Sequence, residues 1–253
     1  MTAGPRTTNR SDLIASIAGR RPVRNLHAQV MNRLGTAIVA GTYPEDSILP
    51  TDAELLQQLR VSRTVLREAL KTLAAKGLIE ARARVGTRVL PRSRWNLFDA
   101  DVLAWHFETG PSVEFLRSLS EVRIGIELES AALAAQRRSL AEAEALTEAA
   151  RRMGEASTPE AFARADLAFH RLVAQAAANP FMASISYLVE VALTAMFTIS
   201  SPVHDPEQHR AAAEKHARIA AAVEAGDADG AREAMRQVIS DGFARAAERM
   251  AAG

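Results

Sequence analysis

The segment Val61-Ser62-Arg63-Thr64-Val65-Leu66-Arg67-Glu68-Ala69-Leu70 constrains this chain more than any other. At ~100° per residue, Val61, Val65, Leu66, Ala69, Leu70 and Leu73 gather on one side of a helix, and Arg63, Arg67 and Lys71 project from the other. One side packs and the opposite side is a stripe of cations. On this segment alone two readings stay open, an ordinary solvated basic face and a surface laid on DNA.

The flanks bear on that choice. Thr51-Asp52-Ala53-Glu54 has capping-box spacing and follows Pro50, so a helix starts there, with Leu55, Leu56 and Leu59 as its apolar face. Ser62 is placed to cap the next helix after a tight turn, which makes a helix-turn-helix. Gly77 then stops that helix, and Leu78 to Val89 reads as two short strands around a basic turn containing Gly86. Upstream, Leu26, Val30, Leu34, Ala37 and Ile38 share one helical face, ended by Gly41. Three helices and a two-stranded wing make a winged helix-turn-helix over 23–92.

In Leu49-Pro50, Glu54-Leu55, Val61 to Thr64, Leu66 to Leu70, Leu73, Gly77-Leu78-Ile79 and Gly86-Thr87 the chain resembles the GntR transcription regulators. The resemblance implies a regulator that binds double-stranded DNA. Arg63 and Arg67 would read base edges, Ser62 and Thr64 would touch phosphate or sugar, and Lys71, Arg84, Gly86 and Thr87 would complete the contact surface. One departure stands out. The family usually carries an arginine two residues after the serine or threonine that follows Leu49-Pro50, and this chain has Ala53.

Charge divides the 253 residues. Residues 1–94 hold 16 Lys and Arg against 7 Asp and Glu, whereas 95–253 hold 15 against 23. A basic first part suits phosphates and an acidic second part does not, which argues against a whole-surface DNA coat. The chain has no cysteine, so disulfides, thiolate metal sites and a cysteine nucleophile are excluded. No apolar run reaches the ~18 residues of a membrane span, and Met1-Thr2-Ala3-Gly4-Pro5-Arg6 lacks the apolar core of a signal peptide. A cytoplasmic protein without membrane contact is expected. Residues 1–22 are expected to form a mobile arm, with Leu13, Ile14 and Ile17 able to make a short helix.

From Pro111 the pattern is helix after helix, with breaks at Met153 to Pro159, Asn179-Pro180, Ser200 to Pro206 and Gly226 to Gly230. The expected fold class is therefore all-α with a small β wing: a winged domain, a linker over 93–110, and an antiparallel bundle of about six helices over 111–250. Asp205-Pro206-Glu207 marks a helix start that carries His209 and His216. Asp166 and His170 stand at i and i+4, so one helix presents both to a shared cation or pairs them with each other. Arg123 is placed to clasp a carboxylate with two parallel hydrogen bonds, or to pair with Glu127 one turn on. Ser200 and Ser201 fall in an expected loop.

Glu121-Val122-Arg123, Glu127, Asp166, Phe169-His170, Asn179-Pro180, His216, Ile219, Gly226-Asp227 and Ala231 resemble the FCD ligand-binding domain of the FadR subfamily. Trp95 to Trp105 is similar to the linker of sugar-acid regulators in that subfamily, galactonate-operon repressors among them. The resemblance implies a homodimer, a repressor, and a small carboxylate effector such as an aldonate. It also implies a divalent metal on Asp166, His170 and His216, zinc first, with nickel and manganese as alternatives. The usual fourth ligand, 22 residues after His216 and near the end of the next helix, is Val238 here, so that set is incomplete. His209 lies ~10 Å from His216 along the helix and is a poor substitute. Two other classes remain open: a metal-dependent enzyme on those three residues, for which neither a general base nor a cleft is evident, and an architectural DNA-binding protein without an effector.

Overall fold

The computed structural model describes residues 25–188, 194, 196, 197 and 199–252. The expected arm over 1–22 and its short helix lie outside the described residues. The chain divides into two compact units, Met1–Pro111 and Ser112–Gly253.

The first unit opens with α1 (Leu26–Val39), whose cap Asn25 accepts from the amide of Ala28 at 2.7 Å. In α2 (Asp52–Leu59) the capping box forms: Thr51 Oγ1 accepts from the Glu54 amide, and Glu54 Oε2 accepts from the Thr51 amide at 2.7 Å. Arg60 ends α2 in the left-handed region at φ 54°, which turns the chain sharply toward α3 (Arg63–Ala75). Ser62 caps α3 as expected, so Val61 lies in the turn and packs on the core from outside the helix. The strands β1 (Ile79–Arg82) and β2 (Gly86–Val89) pair antiparallel from Ile79 opposite Val89 to Arg82 opposite Gly86. Leu34, Ile38, Leu55, Leu66, Leu73, Leu78 and Val89 form the core beneath them.

Segment 93–110, read from sequence as a link, does not run free. After a 3-10 turn (Arg92–Arg94) it forms α4 (Ala100–Glu108), which packs on α1 and adds Trp95, Val102 and Trp105 to the same core. The Trp105 ring lies so close to Gly35 that a Cβ there would stand 2.6 Å from it. Lys76, the cap residue of α3, is held between Asp99 at 2.7 Å and Asp101 at 2.8 Å at the start of α4.

Among its described residues the second unit has helices and no strand: α5 (Val113–Arg137), α6 (Leu140–Gly154), α7 (Pro159–Ala176), α8 (Pro180–Leu188), α9 (Pro206–Ala225) and α10 (Ala228–Ala251). Thr194, Met196, Phe197, Ile199 and Ser200 are also helical. Ser200 therefore ends a helical stretch where the sequence suggested a loop. Asp205 caps α9 with Pro206 at its first turn, and Gly226 at φ 77° closes it, both as the residue types predict. Helix α10 lies along α5, α9 along α6 and α10, and α7 against α5 and α6. Ala131, Ala134, Ala135, Ala150, Ala176, Ala220 and Ala231 are buried between them, and such small side chains let helix axes approach closely around Leu146, Phe162, Phe169, Ile219 and Met235. Among the described residues no helix is long and apolar enough to cross a membrane.

Candidate nucleic-acid interface and candidate metal centre

On the first unit, burial of Leu66, Ala69 and Leu73 fixes the roll of α3, and Ser62, Arg63, Thr64, Arg67 and Lys71 are left exposed. Ser62 spends one lone pair on the amide of Val65, and its hydroxyl keeps its hydrogen free to donate. Lys71 pairs with Glu68 at 2.8 Å, a fully solvated contact of little strength. Arg63 and Arg67 make no ion pair among the described residues. They border a shallow groove with Asp52, Ala53 and Leu56, so the alanine leaves open floor beside the two guanidiniums.

The wing adds one more cation of that kind. Glu80 holds Arg82 at 2.7 Å and Arg88 at 3.1 Å, whereas Arg84 at the tip, at φ 64°, is exposed and unpaired among the described residues. Gly86 follows at φ 116°, a conformation L side chains rarely adopt, and Thr87 accepts from the Leu49 amide at 2.8 Å through its carbonyl. Arg60, exposed in the turn between α2 and α3, is a further cation next to the start of α3 in sequence. Sequence reasoning passed over it, although a basic residue in that turn was there to be noticed.

In the second unit α7 brings Asp166 and His170 together one turn apart, and α9 supplies His216. Asp166 Oδ1 lies 3.1 Å from His170 Nε2 and 3.2 Å from His216 Nε2. Donor atoms at about 2.0–2.2 Å in a zinc tetrahedron would stand about 3.3–3.6 Å apart, slightly more than these two separations. All three residues are buried, and none of these three atoms has an aligned hydrogen-bond partner among the described residues.

The proton positions follow from the outer contacts. His216 Nδ1 lies 2.8 Å from the Ala212 carbonyl, which only accepts, so Nδ1 carries a hydrogen and Nε2 is the ring atom that faces Asp166. His170 Nδ1 lies 2.5 Å from Glu127 Oε2 on α5, which favours the proton on that nitrogen and turns Nε2 inward. Burial works to raise Glu127, but Arg123 and His170 outweigh it and hold the carboxyl at about 2. For His170, burial works to lower the imidazole, and Glu127 and Asp166 outweigh it and raise it to about 9. Burial likewise opposes the Asp166 charge, and the two histidines override it and lower its carboxyl well below the usual range.

Arg123 realises the local alternative. It is buried against Glu127, with Nε donating to Oε1 at 2.6 Å and Nη2 to Oε2 at 3.3 Å, and its guanidinium lies 5.0 Å from the Phe197 ring centre. Its two-pronged donor edge is therefore taken. Val238 sits near the middle of α10 rather than near its end, packed in the apolar core, and offers no donor atom. His209 is held elsewhere, by the Met153 carbonyl at 2.8 Å and the Phe162 ring. Ser200 and Ser201 are both buried, and the Ser200 carbonyl accepts from Arg245 at 3.0 Å. Glu127 as the partner of His170 was missed from sequence, because they stand 43 positions apart with the whole of α6 between them.

A cationic helix on a winged helix-turn-helix, followed by a separate helical unit with a buried donor cluster, defines a two-domain DNA-binding protein. Residues 26–89 match the bacterial regulatory proteins of the gntR family, and residues 118–241 match the FCD domain. The uncharacterized HTH-type transcriptional regulator YieP of Escherichia coli K12 is 35% identical over 185 residues, 69% of this chain and 77% of its own. The galactonate operon transcriptional repressor of the same strain is 31% identical over 221 residues, 87% of this chain and 96% of its own. The solved structure of Lar, which controls the expression of the Listeria monocytogenes agr system, shares the fold with a TM-score of 0.59 at 19% identity, over 90% of this chain and 99% of its own. The chain belongs to the gntR family of bacterial regulatory proteins, with an FCD domain, and is a transcription regulator. The metal-dependent enzyme that sequence left open is set aside, since these relatives are regulators.

Proposed function

We propose that this regulator is a cytoplasmic homodimeric repressor that binds a two-fold operator through its winged units and releases it when a small carboxylate binds the helical unit. The observation that carries the DNA half is the pair of guanidiniums, Arg63 and Arg67, on the exposed side of α3 and without an ion pair among the described residues. Each is suited to a bidentate contact with a guanine edge, worth about 1–3 kcal/mol of discrimination. Ser62 and Thr64 would donate to phosphate or sugar, and Lys71, Arg84, Gly86 and Thr87 would meet the backbone beside them. With Ala53 in place of a further arginine, the two carry more of the sequence reading.

For the helical unit the supporting observation is three convergent buried donor atoms, Asp166 Oδ1 and the Nε2 atoms of His170 and His216. Asp166, His170 and His216 fit a divalent cation, zinc before nickel or manganese, and Glu127 and the Ala212 carbonyl fix the two rings in the tautomer such a site needs. A cation there would supply open positions for an effector carboxylate. Arg123 then acts by fixing Glu127 and not by touching the effector. Similarity to a galactonate operon repressor makes an aldonate the preferred effector.

A second reading has its own support. Arg123, Glu127, His170 and Asp166 alternate in charge, so a protonated His170 would close a balanced ion cluster without metal. Metal analysis separates the two. Purified protein is expected to hold one zinc per chain and to lose it in His170→Ala with folding retained; unchanged content in that variant would defeat the metal. Thermal shift against aldonates, short hydroxy acids and fatty acids tests the effector class, and stabilisation by fatty acids alone would overturn the sugar-acid choice.

A further inference from the structure

The acids of the winged unit are nearly all engaged. Glu45 pairs with Arg92, Asp46 and Glu80 both hold Arg88, Glu54 closes its box on Thr51, and Glu68 pairs with Lys71. Asp52 is the exception: it makes no hydrogen bond or ion pair among the described residues. It stands exposed in the first turn of α2, where Thr51 and Glu54 already do the capping.

Its surroundings make that free carboxylate unusual. Asp52 borders the groove it shares with Ala53, Arg63 and Arg67, and also a second groove that passes Arg67 and Lys71 and reaches Thr87 on the wing. The other charged side chains along both grooves are cations. An unpaired acid therefore stands among the residues assigned above to DNA. Turned to a phosphate, a carboxylate is repelled and weakens binding to every sequence alike. Turned to a base edge in the major groove, it accepts from the N4 amino group of cytosine, whereas guanine offers it only acceptors. Ala53 has no side chain beyond Cβ, so the groove beside Asp52 stays open to a base edge.

We propose that Asp52 is a sequence-reading residue, whose carboxylate accepts from the N4 amino group of an operator cytosine in the base pair next to the one read by Arg67. The proposal rests on the DNA reading given above for Arg63 and Arg67. Adjacency follows from Asp52 and Arg67 bordering both grooves together. Glu80 and Arg82 neutralise each other on the wing, but Asp52 and Arg67 make no such pair, so an acceptor and a donor fork stand side by side, each available. The two need opposite edges, cytosine N4 for the acid and guanine O6 and N7 for the guanidinium. A slip of one base pair sets each against the wrong group, so the pair also fixes register.

The test is selection of binding sequences from random duplex DNA by the full chain, carried out with the natural protein, Asp52→Ala, Asp52→Asn and Arg67→Ala. Arg67→Ala marks its own base pair by losing the preference there. Asp52→Ala is expected to lose a cytosine preference of about fivefold or more at the neighbouring pair and to keep the Arg67 preference. Asp52→Asn is expected to move that neighbouring preference toward adenine, whose N6 and N7 match an amide. In titrations Asp52→Ala should bind the selected operator more weakly and random duplex no more weakly than the natural chain. An acid that merely suits the positive end of α2 would lower the unfolding temperature of the variant and leave the selected sequence unchanged, which overturns the proposal. Tighter binding of operator and random DNA alike overturns it too, and reduces Asp52 to phosphate repulsion. Loss of preference at the Arg67 pair itself overturns it in favour of an acid that orients Arg67. Failure of the natural chain to select any sequence defeats the DNA reading of Arg63 and Arg67, and this proposal with it. Should the alanine variant fail to fold, the asparagine variant decides: selection of the natural sequence without a shift toward adenine overturns the reading of cytosine.

Discussion

Gly77 and Gly41 share a backbone angle of φ 78°, and only one of them has neighbours. A Cβ at Gly77 would meet the Arg94 carbonyl oxygen at 2.2 Å, whereas at Gly41 it would meet nothing within 4 Å. Gly41→Ala is therefore expected to cost the left-handed strain alone, about 1–2 kcal/mol, and Gly77→Ala distinctly more, as read by urea unfolding of the two variants. Arg123→Ala is expected to cost about 3–5 kcal/mol, because it leaves the Glu127 charge buried without its guanidinium. His106 gives a pH signature. Burial, helped by Arg92, lowers its imidazole to about 4. Above pH ~6.5 the ring is neutral folded and unfolded; as pH falls toward 4 the unfolded chain takes up the proton first, so stability drops through that window and levels below it. Unfolding midpoints across pH 7 to 4 should fall less in His106→Gln. At this scale the sequence was informative where partners lie within one turn, as for Thr51 with Glu54 and Arg123 with Glu127. It was silent on Glu127 with His170 and on Phe197, whose partners come from other helices.

Helix α4 shows what periodicity cannot reveal. Its residues Val102 to Phe107 are buried in unbroken succession, so no polar stripe marks it as an amphipathic helix, and a short apolar run of that kind reads as linker. By contrast α3, buried on one side and solvated on the other, was legible almost to its last residue. The junction between them is electrostatic as well as apolar. Asp99 accepts from the amides of Asp101 and Val102 as the cap of α4 and also pairs with Lys76. Asp99→Ala is thus expected to lower stability by more than the ~1 kcal/mol of a lost cap, and by more than Asp101→Ala, which leaves the cap of α4 in place. Equal losses in the two would place the whole effect in the Lys76 pair. For α10, the apolar Val238 could be read from sequence as a missing donor, but not its burial in the core near mid-helix.

Across the whole chain the opposed charges of the two parts set how binding responds to salt. Operator affinity is expected to fall linearly on a log-log plot against salt concentration. Arg84→Ala should weaken all sequences alike and reduce the slope by about one. Arg63→Ala should instead relax the preference at one base position, and a variant that loses affinity uniformly would move Arg63 from base reading to phosphate contact. The two-domain plan itself was plain from the change in pattern near Pro111 and from the charge division, since both are properties of long stretches and not of single contacts. The seating of Trp105 on Gly35 and of Lys76 between two carboxylates ties α4, about 13 Å long, to both α1 and α3. If two copies read half-sites about 34 Å apart, as proposed above, a tilt of about 5° carried across that span moves the Arg63 side chain by about 3 Å, close to one base-pair step. Recognition can then be lost by a small change of angle, with every contact inside the winged unit still intact.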